Sequence, residues 1–178
     1  IRGAYHYFSA NIDGLKQANH FIKTVKLKKG DLPPVIDVEE IGKVSKTKLM
    51  SELLKFSKQI ELHYRIKPII YTYHDFYKLN FDETFKDYKL WIAHYYVKSP
   101  SNNTWNFWQY TDKGKVSGIN YPVDFNVYNK SFKYDVSAFF IEIREEDLDK
   151  RKSKIRIEVY HGGKLADQAK TNFLGPIE

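Results

Sequence analysis

Two carboxylates spaced two residues apart are the side chains in this sequence best suited to chemistry. They lie in Val35-Ile36-Asp37-Val38-Glu39, an apolar run that follows two prolines and predicts a short buried strand. Residues two apart on a strand share a face, so Asp37 and Glu39 should project together, with Cβ atoms about 6.5–7 Å apart. Val38 should point the other way, into the core.

A buried strand seldom carries two acids on one face, because each carboxylate costs free energy to desolvate. The carboxyl ends of parallel strands are where α/β proteins place their chemistry, and this favours a functional carboxylate pair. The alternative is a strand end whose acids are solvated or paired with lysine. Glu40 should point away from the pair, into solvent.

Composition narrows the class of protein and the class of partner. The chain has 178 residues, 42% of them hydrophobic, which suits one domain with or without an appendage. A net charge of +7 favours an anionic partner, such as nucleic acid, a membrane surface or a cell-wall polymer. The 14 Tyr, 12 Phe and 3 Trp either line a sugar-binding groove or form core. There is no cysteine, and no apolar run approaches the ~18–20 residues that a membrane span needs.

Strands and helices alternate early in the chain, and strands follow one another later, which predicts an α/β, barrel-like sheet. A first helix is predicted over Asn11–Lys26, capped by Ser9 or Asn11. Ser45 is predicted to cap a second helix, and a short third helix covers 74–79. Apolar stripes define the two long helices, with Leu15, Ala18, Ile22 and Val25 on the first and Leu49, Leu53, Phe56 and Ile60 on the second. The predicted strands are 2–8, 35–39, 68–73, 89–95, 105–110 and 123–128, with a turn over 112–120.

The pattern changes at about Tyr134. Apolar residues alternate over 139–143 and again over 155–159, and His161-Gly162-Gly163 is a turn signal. We predict a small all-β module of about three strands. The domains are therefore expected to be 1–133 and 134–178, the second of which is too small to be stable without packing against another surface.

Six segments of the first domain are informative as a set, because of the order in which they follow one another. They are Arg2-Gly3-Ala4-Tyr5-His6-Tyr7-Phe8, 33–39, Ile69-Ile70-Tyr71-Thr72, Leu90-Trp91-Ile92-Ala93-His94-Tyr95, Trp108-Gln109-Tyr110-Thr111 and Val123-Asp124-Phe125-Asn126. Together they resemble, in the same order, the glycoside hydrolase family 25 lysozymes. The resemblance implies an irregular (β/α)-barrel that cleaves the β-1,4 bond between N-acetylmuramic acid and N-acetylglucosamine. The implied partner is the peptidoglycan glycan strand, with no cofactor, and the implied location is secreted or in the cell envelope.

The same resemblance assigns roles to residues of the Asp-x-Glu motif and around it. It implies Glu39 as the general acid, Asp37 as the residue that assists the substrate's acetamido group, and Asp124 as a third catalytic carboxylate. Burial and the neighbouring Asp37 should raise the pKa of Glu39 toward the range useful for a general acid. The alternative for the aromatic side chains around the motif is packing in the core. The alternative for His94 is a structural role, and the alternative for Asp124 is capping of a loop. The implied substrate-binding residues are Tyr5, Tyr7, Tyr71, His94, Tyr95, Trp108, Gln109 and Tyr110.

One feature of the family is not found before Ile1. The family opens with a strand carrying Gly-Ile-Asp-Val-Ser, whose Asp belongs to the active site. The expectation is a barrel without its N-terminal strands, whose open edge is covered by the 134–178 module or by self-association with a second copy. The alternative function is a non-catalytic glycan-binding domain on an incomplete lysozyme scaffold.

Other classes of site have little support in the sequence. His6, His74 and His94 lack the local spacing of metal ligands, so no metal is predicted. There is no glycine-rich phosphate-binding loop. Nucleic-acid binding would rest on charge and aromatic content alone, without a recognised module, and is not predicted.

Overall fold

The computed structural model describes residues 2–100 and 104–129, and the strands at 152–161 and 164–174. Six strands form one sheet in chain order, with the first five parallel and the sixth antiparallel to the fifth. The predicted α/β class with a mostly parallel sheet is confirmed. The strands are β1 (Tyr5–Tyr7), β2 (Val35–Asp37), β3 (Ile69–Tyr73), β4 (Lys89–Ala93), β5 (Phe107–Gly114) and β6 (Val123–Tyr128).

The register of the sheet places side chains from four strands in one row. Tyr7 pairs with Asp37, Asp37 with Tyr71, and Tyr71 with Trp91. Register partners on neighbouring strands project to the same face of a sheet. The four side chains therefore stand side by side on one face, near the carboxyl ends of β1 and β2.

The helices α1 (Gly14–Thr24), α2 (Lys46–Tyr64) and α3 (His74–Asn80) follow β1, β2 and β3, and a 3₁₀ turn covers Glu83–Phe85. Ser45 caps α2 as predicted, because its side chain accepts a hydrogen bond from the backbone N–H of Lys48. The predicted stripe on α2 is buried throughout, with Leu49, Leu53, Phe56 and Ile60 in the core.

The prediction for α1 was wrong in its cap and in one residue of its apolar stripe. Asp13 caps the helix, rather than Ser9 or Asn11, and Leu15 is 44% exposed. The residues that are buried on α1 are Gly14, Gln17, Ala18 and Phe21. Gly14 lies against the backbone of Glu52 in α2, where an added Cβ would be 2.0 Å from the carbonyl oxygen. This close approach fixes the rotation of α1 about its axis, and Leu15 turns toward solvent.

The sheet separates two apolar clusters. Ile36, Ile70 and Phe8 belong to the larger cluster, in which the sheet packs against α1 and α2. Val35, Ile69, Trp91 and Phe107 form the smaller cluster. Strand alternation explains the division, because Val35 and Ile36 are consecutive residues of β2 and project to opposite faces. Val38 is fully buried in the larger cluster, as predicted.

Two further strands, β7 (Lys152–His161) and β8 (Lys164–Leu174), pair antiparallel. They agree with the strand predicted over 155–159 and with the turn signal that follows it. The strand predicted over 139–143 lies outside the described residues, and the division of the chain at 133/134 stays a prediction. The predicted turn over 112–120 is shorter than expected, because β5 continues to Gly114. Among the described helices, none has the length and apolar character of a membrane span.

Candidate active site

A cavity of about 450 Å³ opens on the face of the sheet opposite the two long helices. The row formed by Tyr7, Asp37, Tyr71 and Trp91 makes its floor. Its other lining residues lie at both ends of the strands and in the segments that adjoin them. The full lining comprises Gly3, Tyr5, Tyr7, Val35, Asp37, Glu39, Tyr71, Trp91, Gln109 and Asp124.

Three carboxylates reach this cavity from two strands that are distant in sequence. Asp37 is the last residue of β2, and Glu39 follows it by two positions. The backbone N–H of the intervening Val38 donates to the carbonyl of Tyr71 at 2.9 Å, so the extended path continues past the end of β2. Asp124 lies at the start of β6, which is antiparallel to β5 and therefore begins at the same edge of the sheet. The structure thus brings Asp37, Glu39 and Asp124 together.

Gln109 connects the third carboxylate to two tyrosines. Its side-chain oxygen accepts hydrogen bonds from the hydroxyls of Tyr71, at 2.8 Å, and Tyr95. Its side-chain nitrogen donates to Oδ2 of Asp124 at 2.9 Å. Because a carboxylate oxygen accepts hydrogen bonds, the amide nitrogen is the atom of Gln109 that faces Asp124, and the amide oxygen is left for the two hydroxyls. Gln109 is buried.

The tyrosine hydroxyls around the site remain protonated donors. Burial is the main cause that raises the pKa of Tyr71 above its ordinary value of 10.0, and Tyr95, Glu39, Asp37 and Asp124 add to the effect. Burial likewise raises the pKa of Tyr95, with a contribution from Asp124. The negative charges disfavour a phenolate because like charges repel.

Tyr7 and Glu40 form a pair at the rim. The hydroxyl of Tyr7 donates to Oε1 of Glu40, and this hydrogen bond is the main cause of a raised tyrosine pKa. Glu40 is exposed, as predicted, and does not line the cavity. Tyr5 and Tyr7 are both exposed on β1, the edge strand of the described sheet.

Trp91 is a cavity residue that was absent from the predicted site. Its ring packs edge-on against Tyr71, with centroids 5.0 Å apart, and its indole N–H donates to Asn126 at 2.7 Å. The signal that could have found it is its position, because Trp91 and Tyr71 occupy corresponding places on neighbouring parallel strands. Gly3 and Val35 also line the cavity and were not predicted.

Four predicted residues lie outside the cavity lining: His94, Tyr95, Trp108 and Tyr110. Tyr95 still contributes, through Gln109. Trp108 and Tyr110 share a face, with ring centroids 5.7 Å apart, but strand alternation turns that face away from the one that carries Gln109. The indole of Trp108 donates to the carbonyl of His94, whose ring stacks on His74 at 4.0 Å.

The arrangement of acids and tyrosine hydroxyls in the cavity suits proton transfer to a substrate. Within residues 2–100 and 104–129, no group of three or more His, Cys, Asp or Glu is arranged to hold a metal. Three acids beside neutral tyrosine donors can protonate a leaving oxygen and stabilise positive charge at a neighbouring carbon. Aromatic rings at the floor and rim can contact the apolar faces of sugar rings.

Comparison with known proteins finds relatives over most of the chain. Residues 1–119 match the family described as glycosyl hydrolases family 25. The chain is 44% identical over 147 residues to the uncharacterized protein YegX of Escherichia coli K12, covering 82% of this chain and 54% of YegX. It is 35% identical over 129 residues to the autolytic lysozyme of Clostridium acetobutylicum, covering 72% of this chain and 39% of that protein. The chain thus spans about half or less of these relatives.

A solved family 25 glycosyl hydrolase from Bacillus anthracis has the same architecture. It superposes with a TM-score of 0.63 at 34% identity, over 70% of this chain and 62% of that structure. The fold is thus of the (β/α)-barrel-like kind that these hydrolases share, built around a mostly parallel sheet. This chain belongs to glycosyl hydrolase family 25.

Proposed function

We propose that this chain carries the active site of a muramidase, which cleaves the β-1,4 bond between N-acetylmuramic acid and N-acetylglucosamine in peptidoglycan. The observation that carries the proposal is the meeting of Asp37, Glu39 and Asp124 in one cavity with tyrosine and tryptophan rings. Family membership supports a glycosidase, and the lysozyme names of several relatives support peptidoglycan as the substrate. The implied place of action is the cell envelope or the extracellular space.

Glu39 serves as the general acid in this mechanism. It transfers a proton to the glycosidic oxygen as the bond from that oxygen to the anomeric carbon breaks. The carbonyl oxygen of the substrate's own 2-acetamido group attacks the anomeric carbon, and Asp37 orients the acetamido N–H and stabilises its developing positive charge. Water, deprotonated by Glu39, then opens the cyclic intermediate. Asp124 is held by Gln109 beside the reacting centre.

A glycan-binding module without hydrolysis is the second candidate. The observation that favours it is the exposure of Tyr5 and Tyr7 on the edge strand of the described sheet, since exposed rings beside a cavity suit sugar binding.

Self-association through the outer edge of β1 stays a prediction, which the oligomeric state in solution would test.

The test compares Glu39→Gln with Glu40→Gln in a peptidoglycan suspension. The two acids are adjacent, but Glu39 lines the cavity and Glu40 does not. We expect Glu39→Gln to lower the rate of turbidity loss by about 100-fold or more, the usual contribution of a general acid. Glu40→Gln should retain the parent rate within a few-fold.

Binding to insoluble peptidoglycan, measured by co-sedimentation, separates the two candidate functions. Clearing of the suspension that depends on Glu39 supports the muramidase. Binding without clearing by the parent chain supports the glycan-binding module. Equal rates for the parent and Glu39→Gln would contradict the assigned general acid.

A further inference from the structure

Tyr96 has a backbone conformation that its side chain does not favour. Its φ is 59°, in the left-handed region, where a bulky aromatic residue is sterically strained and glycine is not. The strain is not offset by burial, because Tyr96 is 81% exposed, the highest value among the large hydrophobic side chains of the described residues. A strained and exposed aromatic residue is more typical of a binding surface than of a structural position.

Two neighbours hold the ring of Tyr96. Nζ of Lys113 lies 3.0 Å from its hydroxyl oxygen and 5.7 Å from its ring centroid. The ring of Tyr95 packs edge-on against it, with centroids 6.4 Å apart. The hydrogen bond to Tyr96 is also the main cause that raises the pKa of Lys113, so its ammonium keeps its charge. Lys113 is exposed, and its ammonium is accessible to an anionic group.

The pair lies at the edge of the sheet that carries the chemistry. Tyr96 comes three residues after the end of β4, and Lys113 is the penultimate residue of β5. Both strands are parallel to β2, which ends at Asp37. Tyr95, the residue before Tyr96, donates its hydroxyl to Gln109 in the cavity wall. A polymer that extends beyond the cavity on the side of Gln109 would therefore reach this part of the surface.

We propose that Tyr96 and Lys113 form an outer subsite for the glycan, in which a sugar ring stacks on Tyr96 and a carboxylate carried by the glycan pairs with Lys113. This inference rests on the proposed function, because it takes the occupant of the cavity to be a peptidoglycan strand. That polymer has carboxylates of two origins, the lactyl group of the muramic acid and the stem peptide, and the ammonium of Lys113 would recognise either.

The first experiment uses Tyr96→Gly, which should weaken binding to the glycan without lowering the stability of the fold. Glycine removes the strain at φ 59°, so the melting temperature should equal or exceed that of the parent. Binding to insoluble peptidoglycan should weaken about tenfold, a typical loss for a stacking ring. Arg65→Gly is the matched control, since Arg65 has the same φ of 59° at the end of α2. Because Arg65 precedes β3, it lies toward the opposite edge of the sheet, and its variant should bind like the parent.

The second experiment uses Lys113→Gln, with Lys115→Gln as the control at a nearby exposed lysine. Three ligands separate the sources of the carboxylate: intact peptidoglycan, glycan strands freed of peptide, and chitin oligosaccharides without carboxylates. Lys113→Gln should weaken binding to the first ligand several-fold and leave binding to chitin oligosaccharides unchanged. A loss that persists on peptide-free strands assigns the carboxylate to the lactyl group, and a loss confined to intact peptidoglycan assigns it to the peptide.

Each adverse outcome points to a different error. If the parent binds and Tyr96→Gly binds equally well, the subsite is wrong and the proposed function is untouched. If Lys113→Gln weakens binding to chitin as much as to peptidoglycan, or leaves both unchanged, the carboxylate contact is wrong. If the parent neither binds nor clears peptidoglycan, the proposed function fails and the subsite with it.

Discussion

Replacing Glu52 by glutamine tests how the two long helices are held together behind the sheet. The side chain of Glu52 is 1% exposed and lies between α1 and α2. Its Oε2 accepts a hydrogen bond from the backbone N–H of Gly14 at 2.8 Å, and its Oε1 accepts from Lys48 and Lys55. These three donors, the backbone N–H first, lower the pKa of Glu52 from 4.5 to about 2.

The size of the expected effect follows from that pKa. The difference between the ordinary pKa of 4.5 and the folded pKa of about 2 corresponds to about 3 kcal/mol in the free energy of unfolding, at ~1.4 kcal/mol per pKa unit. The ammonium partners are 56% and 47% exposed, and solvent screening reduces their share. We therefore expect Glu52→Gln, which keeps an acceptor for Gly14 but removes the charge, to cost about 2 kcal/mol at pH 7. For a chain of this size, that loss lowers the melting temperature by about 4–8 °C.

The pH dependence has a definite sign. A carboxylate whose pKa is lowered by folding contributes its stability above the pKa of the unfolded chain, and the contribution disappears as the pH falls through the folded pKa. The free energy of unfolding of the parent should therefore approach that of Glu52→Gln between about pH 4.5 and pH 2. Urea denaturation at pH 7, 5 and 3, followed by tryptophan fluorescence, measures the difference.

Glu83→Gln provides the control, because Glu83 is exposed and its ion pair with Lys86, at 3.6 Å, should contribute little to stability. If the free energies of unfolding of the parent and Glu52→Gln differ by the same amount from pH 7 to pH 3, Glu52 is not an ionised carboxylate stabilised by folding. A difference in the free energy of unfolding below about 0.5 kcal/mol at pH 7 would show that the ion pairs with Lys48 and Lys55 contribute nothing measurable to stability.

Three further outcomes are expected. Gly14→Ala should destabilise the chain by about 2 kcal/mol or more, because the new Cβ would be 2.0 Å from the carbonyl oxygen of Glu52; an unchanged urea midpoint would contradict the packing of α1. Gln109→Met should keep the volume but lose the hydrogen bonds to Tyr71, Tyr95 and Asp124, lowering the rate of peptidoglycan clearing about tenfold or more with a smaller change in binding. Clearing should be insensitive to EDTA, since carboxylates carry the proposed proton transfer; loss with EDTA and recovery with zinc or magnesium would contradict it.

The parts of the fold that were predictable depend on local periodicity. Leu49, Leu53, Phe56 and Ile60 repeat at helical spacing behind a serine cap, and α2 follows from those residues alone. The rotation of α1 was not predictable in the same way. It depends on the contact between Gly14 and Glu52, which are 38 positions apart, and apolar spacing placed Leu15 in a stripe that this contact turns toward solvent.

The site also has parts that follow from local strand alternation and parts that depend on contacts between residues distant in sequence. Alternation correctly places Asp37 and Glu39 in one cavity, because both belong to one strand and its extension. Alternation also separates Gln109 from Trp108 and Tyr110, but it does not say which of the two faces borders the cavity. That choice depends on the register of β5 with β4 and β6, and on the packing of the sheet against helices distant in sequence.

The hydrogen bonds of Gln109 bear on how three neighbouring acids divide their roles. Tyr71 and Tyr95 have pKa values raised by burial, so both stay donors around neutral pH and hold the amide oxygen of Gln109. The amide nitrogen then donates permanently to Asp124, and a carboxylate that accepts a hydrogen bond is favoured in its charged form. In the proposed mechanism, this contact gives Asp124 the role of a charged, positioned hydrogen-bond acceptor and leaves donation of the proton to Glu39.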